Sequence, residues 1–434
     1  MRKGGLFCRI RSAKGSISSW AIIVLGQNDK FVHSSKQRVK LAGSPLKIEF
    51  LRKKLKLVRD TMEAQGVGMW ITFTREGNED PLVQDLRFSD LTWRSAAIIE
   101  QTGTKTAIVG SLEEETVRQQ KFYDEIMGYG SEGAAPKLNE FVRRRKPKKI
   151  AVNTSYDEGA ADGLTSGMER YLKTALKDYS KRLVSGEDLA IALRARLIPA
   201  EIELVKKSIA ECEKIYDSVE AAIKPGKKDK EVHEFAHKLL TERKLDSAWA
   251  YDRCPSVVVG NSPMAHVGYY GTKIKDGDFV KLDFGVKYDG YCSDIQRNYF
   301  VGSGRVPKSV VQMVKTARDA NDAALAILKP GVPGFKVDQA GRGLVVKRRY
   351  PEYKHALGHV LGRSTHEIGP LLGPRWPNRY GKQGEKQVQR DMVFTIEPSV
   401  TSKFGTCNLE QDVLVTSTGY QELSKPQNEI IQLG

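Results

Sequence analysis

Apolar residues fall into a regular rhythm only from Leu46 onward. Ile48, Leu51, Leu55, Val58 and Met62 recur every three or four positions and the run ends at Gly66, which predicts an amphipathic helix. Short β-branched stretches follow: MWITFT (69–74), SAAIIE (95–100), KTAIVG (105–110) and KIAVN (149–153) predict strands, the middle two joined as a hairpin by the turn QTGT. Helical spacing returns around 112–126 and 159–176. Residues 46–195 therefore predict a smaller mixed α/β domain, and since they contain no histidine the chemistry is expected elsewhere. Residues 1–45 show neither period and predict a disordered or mis-assigned leader.

The texture changes near residue 196. Pro199 is placed to begin a helix, Glu201 and Glu203 lie in its first turn, and Ile202, Val205, Ile209, Tyr216 and Val219 share one face. A stop at Lys224-Pro225-Gly226 is followed by a second helix over about 228–244, then strands, then a long helix over 307–328 that stops at Lys329-Pro330-Gly331. The matching segments AAIKPG and AILKPG each close one helix and precede another, so residues 196–434 predict an internally duplicated α+β domain.

Length and composition narrow the class. A chain of 434 residues holds two or three ordinary domains, each able to bury a core. No apolar run reaches the roughly 18 residues of a membrane span, and the longest early stretch, 20–26, is far shorter. Five cysteines, odd in number and without a CxxC pair, predict reduced thiols and a cytoplasmic protein. The net charge of +17 raises a nucleic-acid partner, but its distribution argues against one: nine Lys/Arg against Asp29 alone put +8 into residues 1–45. A second basic run, RRRKPKK (143–149), precedes an apolar strand and reads as a solvated connection.

The candidate chemistry centres on HALGHVLGRSTHEIGP (355–370), which gathers His355, His359 and His366 among small residues; Gly358 and Gly362 are expected to let the backbone approach an ion or substrate. Upstream, the Asp289-Gly290 turn in VKLDFGVKYDGYCSDIQRNYFVG (280–302) predicts a hairpin. If Tyr288 pairs with Tyr291, Asp294 falls opposite Gly285, and Asp283 and Asp294 become diagonal neighbours on one face. Two converging carboxylates repel unless a proton or cation lies between them, and Gly285 is expected to leave room for an ion. Glu397 closes the apolar strand MVFTIEP and Glu410 opens the strand NLEQDVLVT. With His359 these make four carboxylates and one imidazole, a donor mixture suited to a pair of Mn, Co, Fe or Zn ions. A literal HExxH, His233-Glu234-Phe235-Ala236-His237, lacks a third downstream ligand and reads as a surface helix with two spaced histidines.

The order and setting of Asp283 in LDFG, Asp294 in SDIQR, His359 in GHVLG, Glu397 in TIEP and Glu410 in LEQDV resemble the dinuclear peptidases of the pita-bread fold, the methionine aminopeptidase, aminopeptidase P and prolidase group known as family M24. The resemblance covers about residues 196–434; the preceding domain and the additional His355 point to its proline-peptidase branch. It implies that Asp283 holds one divalent ion, that Asp294 and Glu410 bridge two, and that His359 and Glu397 complete the second. It also implies that Glu397 takes the proton of the attacking water, that His266 in SPMAH and His366 in THE flank the scissile bond, and that His355 and His266 contact a peptide substrate. A homodimer is implied in the same way. Proline-specific relatives commonly carry an arginine two residues before the last glutamate, in an R-x-E-D pattern, whereas Asn408 and Gln411 stand around Glu410 here. The long basic segment 371–391 is expected to line the pocket. The implied activity is removal of the N-terminal residue from peptides, as an Xaa-Pro aminopeptidase or dipeptidase. Turnover of a small non-peptide molecule, or a silent binding protein on the same fold, are the alternatives.

Overall fold

In a computed structural model of the chain the described residues are 46–262 and 267–434, so the expectations for residues 1–45 and for His266 lie outside them. The helix Ile48–Gln65 forms as its spacing predicts and closes at Gly66, whose φ of 66° is a left-handed value that glycine adopts without a Cβ clash. Its apolar face buries Leu51, Leu55, Val58 and Met62. Lys54 is buried on the same face, its Nζ 2.8 Å from Oε2 of Glu201.

Six strands follow: β1 (Met69–Thr74), β2 (Ser95–Glu100), β3 (Lys105–Gly110), β4 (Glu125–Tyr129), β5 (Ile150–Val152) and β6 (Leu183–Ser185). They form a mixed sheet in the order β4-β3-β2-β1-β5-β6, and β2 pairs with β3 as the expected hairpin. The helix expected over 112–126 is cut short. Only Glu114–Gln119 is α-helical; Lys121 adopts a φ of 52°, and Glu125–Tyr129 joins the sheet parallel to β3. Helical spacing over 159–176 likewise gives a single 3-10 turn at Gly159–Ala161 and an α-helix only from Ser166, where the Thr165 side chain accepts the Met168 N–H. The basic run is partly helical. Arg143, Arg144 and Arg145 end the helix Ala134–Arg145, where cations meet the negative end of the helix dipole, and Arg145 also pairs with Glu100.

Beyond residue 196 one sequence of elements occurs twice. The helices Pro199–Val219 and Asp229–Glu242 lead, past the short strand β7 (Asp246–Ser247), to β8 (Ser256–Val259) and β9 (Phe279–Phe284). A small hairpin of β10 (Val286–Tyr288) and β11 (Tyr291–Cys292) then precedes β12 (Ile295–Val301). The helices Lys308–Leu325 and Gly334–Lys347 begin the second round, with β13 (Gly358–Leu361), β14 (Glu367–Leu372) and β15 (Val393–Ile396). The hairpin of β16 (Ser399–Ser402) and β17 (Gly405–Asn408) comes before β18 (Gln411–Val415). β8-β9-β12 and β13-β15-β18 are adjacent in the same order and antiparallel throughout. In each round the last two strands are joined through a small two-stranded hairpin. The predicted register holds: Tyr288 faces Tyr291, and the same pairing continues to Phe284 opposite Ile295. No helix among the described residues is long and apolar enough to cross a membrane. Cys212, Cys254, Cys292 and Cys407 are buried free thiols.

Candidate metal centre

The two rounds of strands each deliver a pair of carboxylates to equivalent places. Asp283 lies near the end of β9 and Asp294 immediately before β12; Glu397 follows β15 and Glu410 immediately precedes β18. In both rounds the two acids flank a small hairpin, so the chain leaves and re-enters the sheet beside them. His359, in β13, brings the imidazole. Ligand atoms of Asp294, His359 and Glu410 lie within 4.8 Å of one another, and all three residues are buried. The Nε2 of His359 is 3.7 Å from Oδ2 of Asp294 and 3.7 Å from Oε1 of Glu397.

Histidine orientation is set from behind. The Nδ1 of His359 faces the Val360 carbonyl at 3.3 Å, an acceptor only, so Nδ1 carries the proton and Nε2 presents its lone pair to the carboxylates. Burial, followed by the neighbouring His366, holds the imidazole down to about 3, which keeps it neutral and ready to ligate. The carboxylates are pushed the other way. Burial raises Asp294 well above the ordinary range, with the charges of Glu410 and Asp283 next; burial and then Glu397 do the same to Glu410. Glu397 is pushed up to about 8 by burial and then by Asp283. Among the described residues no lysine or arginine forms an ion pair with Asp294, Glu397 or Glu410. Acids so crowded and so dry need protons or cations between them, so the donor set fits divalent metal ions.

Several groups that sequence reasoning passed over hold the centre in shape. Gln296 donates Nε2 to Glu410 Oε2 at 2.7 Å and to Glu397 Oε2 at 3.3 Å, while its Oε1 is buried without a hydrogen-bond partner. Buried Asp412 accepts the Asp294 backbone N–H, and Arg297 donates to the Glu410 carbonyl. The fully buried Lys281 stands two residues before Asp283 on the same face of β9. Gln296 and Asp412 each lie two residues beyond a predicted ligand, the spacing that returns a strand side chain to the same face. That period was the available signal.

His366 is exposed, its ring edge-on to that of His359 with centroids 4.3 Å apart, so it borders the cluster from the solvent side. Its neighbour Glu367 does not join the acids; it pairs at 2.8 Å with Arg194, which also pairs with Asp85. Arg363 pairs with Asp85 as well, so the segment carrying His366 is tied to residues of the six-stranded sheet region. His355 commits both ring nitrogens to protein groups, Nδ1 to the Ala356 carbonyl at 2.7 Å and Nε2 to Ser399 Oγ at 2.6 Å. Tyr380, in the basic segment 371–391, lies within electrostatic reach of Glu397.

Three expectations need correction. The space beside Gly285 is filled by protein: a Cβ there would meet Ser293 O at 2.2 Å and the Trp249 ring at 2.6 Å, so this glycine admits packing and not an ion. Gly358 similarly lets β13 approach β15, since a Cβ would lie 1.9 Å from the Thr395 carbonyl oxygen. The histidines of the HExxH helix are not on the surface. His233 and His237 are buried with their Nε2 atoms 3.1 Å apart, His233 Nδ1 meets the Pro255 carbonyl at 2.7 Å, and His237 stacks on Tyr251. Glu234 points out to solvent.

Comparison with known proteins agrees with this geometry. Residues 203–417 match the sequence pattern of metallopeptidase family M24. An Xaa-Pro dipeptidase of Pyrococcus furiosus is 30% identical over 264 residues, covering 60% of this chain and 70% of the relative. An Xaa-Pro dipeptidase of Pyrococcus horikoshii is 28% identical over 303 residues, 68% of this chain and 78% of the relative. Among solved structures, an Xaa-Pro dipeptidase from Bacillus anthracis superposes with a TM-score of 0.67 at 23% identity, covering 88% of this chain and all (100%) of that one.

Proposed function

This chain belongs to metallopeptidase family M24 and has its pita-bread fold, and from that premise we propose that Asp283, Asp294, His359, Glu397 and Glu410 hold two divalent ions in an Xaa-Pro peptidase. The observation that carries the reading is the buried convergence of Asp294, His359 and Glu410, with Glu397 beside them, three carboxylates within reach of only one buried cation among the described residues, Lys281, which forms no ion pair with them. Asp294 and Glu410, central to the cluster, are assigned as the bridging pair. The ions, drawn from Mn, Co, Fe or Zn, would activate a water molecule and polarise the substrate carbonyl.

The remaining work falls to side chains. Glu397, at the rim of the cluster, accepts the proton of the attacking water and returns it to the leaving amine. His366 donates to the oxygen on which negative charge develops, and its exposed place beside His359 suits that role. His266 is assigned by its motif to the opposite side of the scissile bond. Residues 371–391, with Tyr380 near Glu397, form a wall of the pocket. Residues 46–195 and 196–434 are taken as two domains, the first having its own six-stranded sheet. The buried free thiols suit a reducing, cytoplasmic setting. A homodimer is proposed on resemblance, and sedimentation of the purified chain decides it.

The activity is tested with Ala-Pro and Ala-Ala dipeptides and with Ala-Pro extended by one and two residues, using the metal-loaded protein. Faster hydrolysis of Ala-Pro than Ala-Ala is expected. Decline with length identifies a dipeptidase and persistence an aminopeptidase. Hydrolysis of none of them by protein that holds its metal would overturn the peptidase reading in favour of a small-molecule substrate.

A further inference from the structure

A chain of four hydrogen bonds runs beside the metal centre without including any of its ligands. The Lys281 Nζ donates to Asn408 Oδ1 at 3.2 Å; Asn408 Nδ2 donates to Ser399 Oγ at 2.5 Å; Ser399 Oγ meets His355 Nε2 at 2.6 Å; and His355 Nδ1 meets the Ala356 carbonyl at 2.7 Å. Lys281, Asn408 and Ser399 are all buried. Ser399 and Asn408 are directly paired across β16 and β17, and the Asn408 backbone is held on both sides by the Asn298 amide.

The direction of the chain is fixed by its two ends. An ammonium group has only donors, so Asn408 must turn its oxygen to Lys281 and its NH2 to Ser399. A carbonyl only accepts, so His355 carries its proton on Nδ1 and offers a lone pair at Nε2. Ser399 is left one arrangement: it accepts from Asn408 and donates its hydroxyl proton to His355. Position in sequence adds a second constraint. Lys281 stands two residues before Asp283, Ser399 two after Glu397 and Asn408 two before Glu410, so the relay links three of the backbones that deliver the carboxylates.

We propose that Lys281 is a positioning residue which, through Asn408 and Ser399, locks His355 as the neutral Nδ1–H tautomer and holds the strands bearing Asp283, Glu397 and Glu410 in fixed relation. His355 then contributes a wall and an anchor and exchanges no proton with the substrate. The effect on turnover rests on the metallopeptidase reading; the tautomer does not.

Nitrogen NMR of protein labelled with ¹⁵N-histidine, with His355 assigned from a His355→Gln variant, reads the tautomer directly. Wild-type protein is expected to show His355 with a protonated Nδ1 and a hydrogen-bonded, unprotonated Nε2. Lys281→Met frees the amide to turn, so Ser399 can donate to it instead, a form of His355 protonated on Nε2 as well as Nδ1 appears, and kcat falls by about tenfold or more with metal content retained, the scale for loss of a group that orients a metal site from behind. Asn408→Asp separates the relay from a simple charge effect. It strengthens the contact to Lys281, yet an acceptor-only carboxylate draws the Ser399 hydroxyl away, and Nε2 of His355 gains a proton. Wild-type protein with Nε2 protonated, or both variants with the wild-type spectrum and kcat, overturns the proposal. The expected spectra in a protein that cleaves no peptide would leave the relay standing and remove the peptidase reading instead.

Discussion

Nε2 of His359 stands 3.7 Å from Oδ2 of Asp294, beyond hydrogen-bond reach and at the spacing of two ligands that share an ion. Purified protein is expected to hold close to two divalent ions, and Asp294→Ala or Glu410→Ala to lose both, because each is assigned to bridge. Elemental analysis after dialysis measures this, and a bridging variant that keeps both ions contradicts the assignment. His233→Ala combined with His237→Ala should keep the metal while lowering stability, since those rings are buried against Pro255 and Tyr251 and are not among the assigned ligands.

Ion-free protein should lose stability as pH rises. Asp294, Glu397 and Glu410 have folded-state values above those of the unfolded chain, with Glu397 at about 8. The buried His237, His355 and His359 are held neutral in the fold and oppose this trend below about pH 6.5, the ordinary histidine value; from about pH 7 to about 8 the folded state holds carboxyl protons that the unfolded state has released, and each pH step favours unfolding. Saturating metal replaces those protons and should flatten or reverse the slope. Urea unfolding at pH 7, 7.5 and 8, with and without metal, gives the answer; ion-free stability that rises across this range is the contrary result.

His366→Ala is expected to lower kcat by roughly 10² to 10³, the scale for removing one donor to a developing oxyanion, with metal content unchanged. Loss of an ion from this variant would mean that His366 is a ligand and that the role given to His359 must be revised.

Lys54→Met should destabilise the fold by about 3 kcal/mol or more, because it leaves buried Glu201 without its cation. Glu201 accepts from Lys54, from Tyr291 Oη and from the Ile198 N–H, so one carboxylate ties the first helix, the hairpin strand β11 and the start of the helix Pro199–Val219 together. Urea unfolding of the metal-loaded variant measures the loss, and a change below 1 kcal/mol would show that the pair is relaxed or hydrated.

Local pattern carried a large part of this protein. The helix at Ile48–Gln65, strands β1 to β3 and the Asp289-Gly290 hairpin are legible because their periods and turn residues are properties of neighbours in sequence. The hairpin register went further: once Tyr288 was set opposite Tyr291, the antiparallel ladder brought Asp283 and Asp294 together. Five separated motifs in one order then marked the family. Where a segment could satisfy two patterns, local signals failed, as at 112–126, where apolar spacing read as one helix but β4 found a parallel partner in β3.

What lay outside local pattern was every relationship created by burial and long-range contact. Nothing near Lys54 in sequence signals that its charge is buried against Glu201, nor near His233 that its ring is covered by the loop after Tyr251. Gly285 and Gly358 were read as openings for an ion because sequence shows that a side chain is missing but not what fills its place; packing put Trp249 and the β15 backbone there. The candidate metal ligands could be named along the chain, since chemistry resides in residue type and motif. Their protonation, the direction of the Lys281 relay and the commitment of both His355 nitrogens could not, because a hydrogen bond's polarity and a carboxylate's pKa depend on which distant groups folding brings within a few ångströms and how much water it removes.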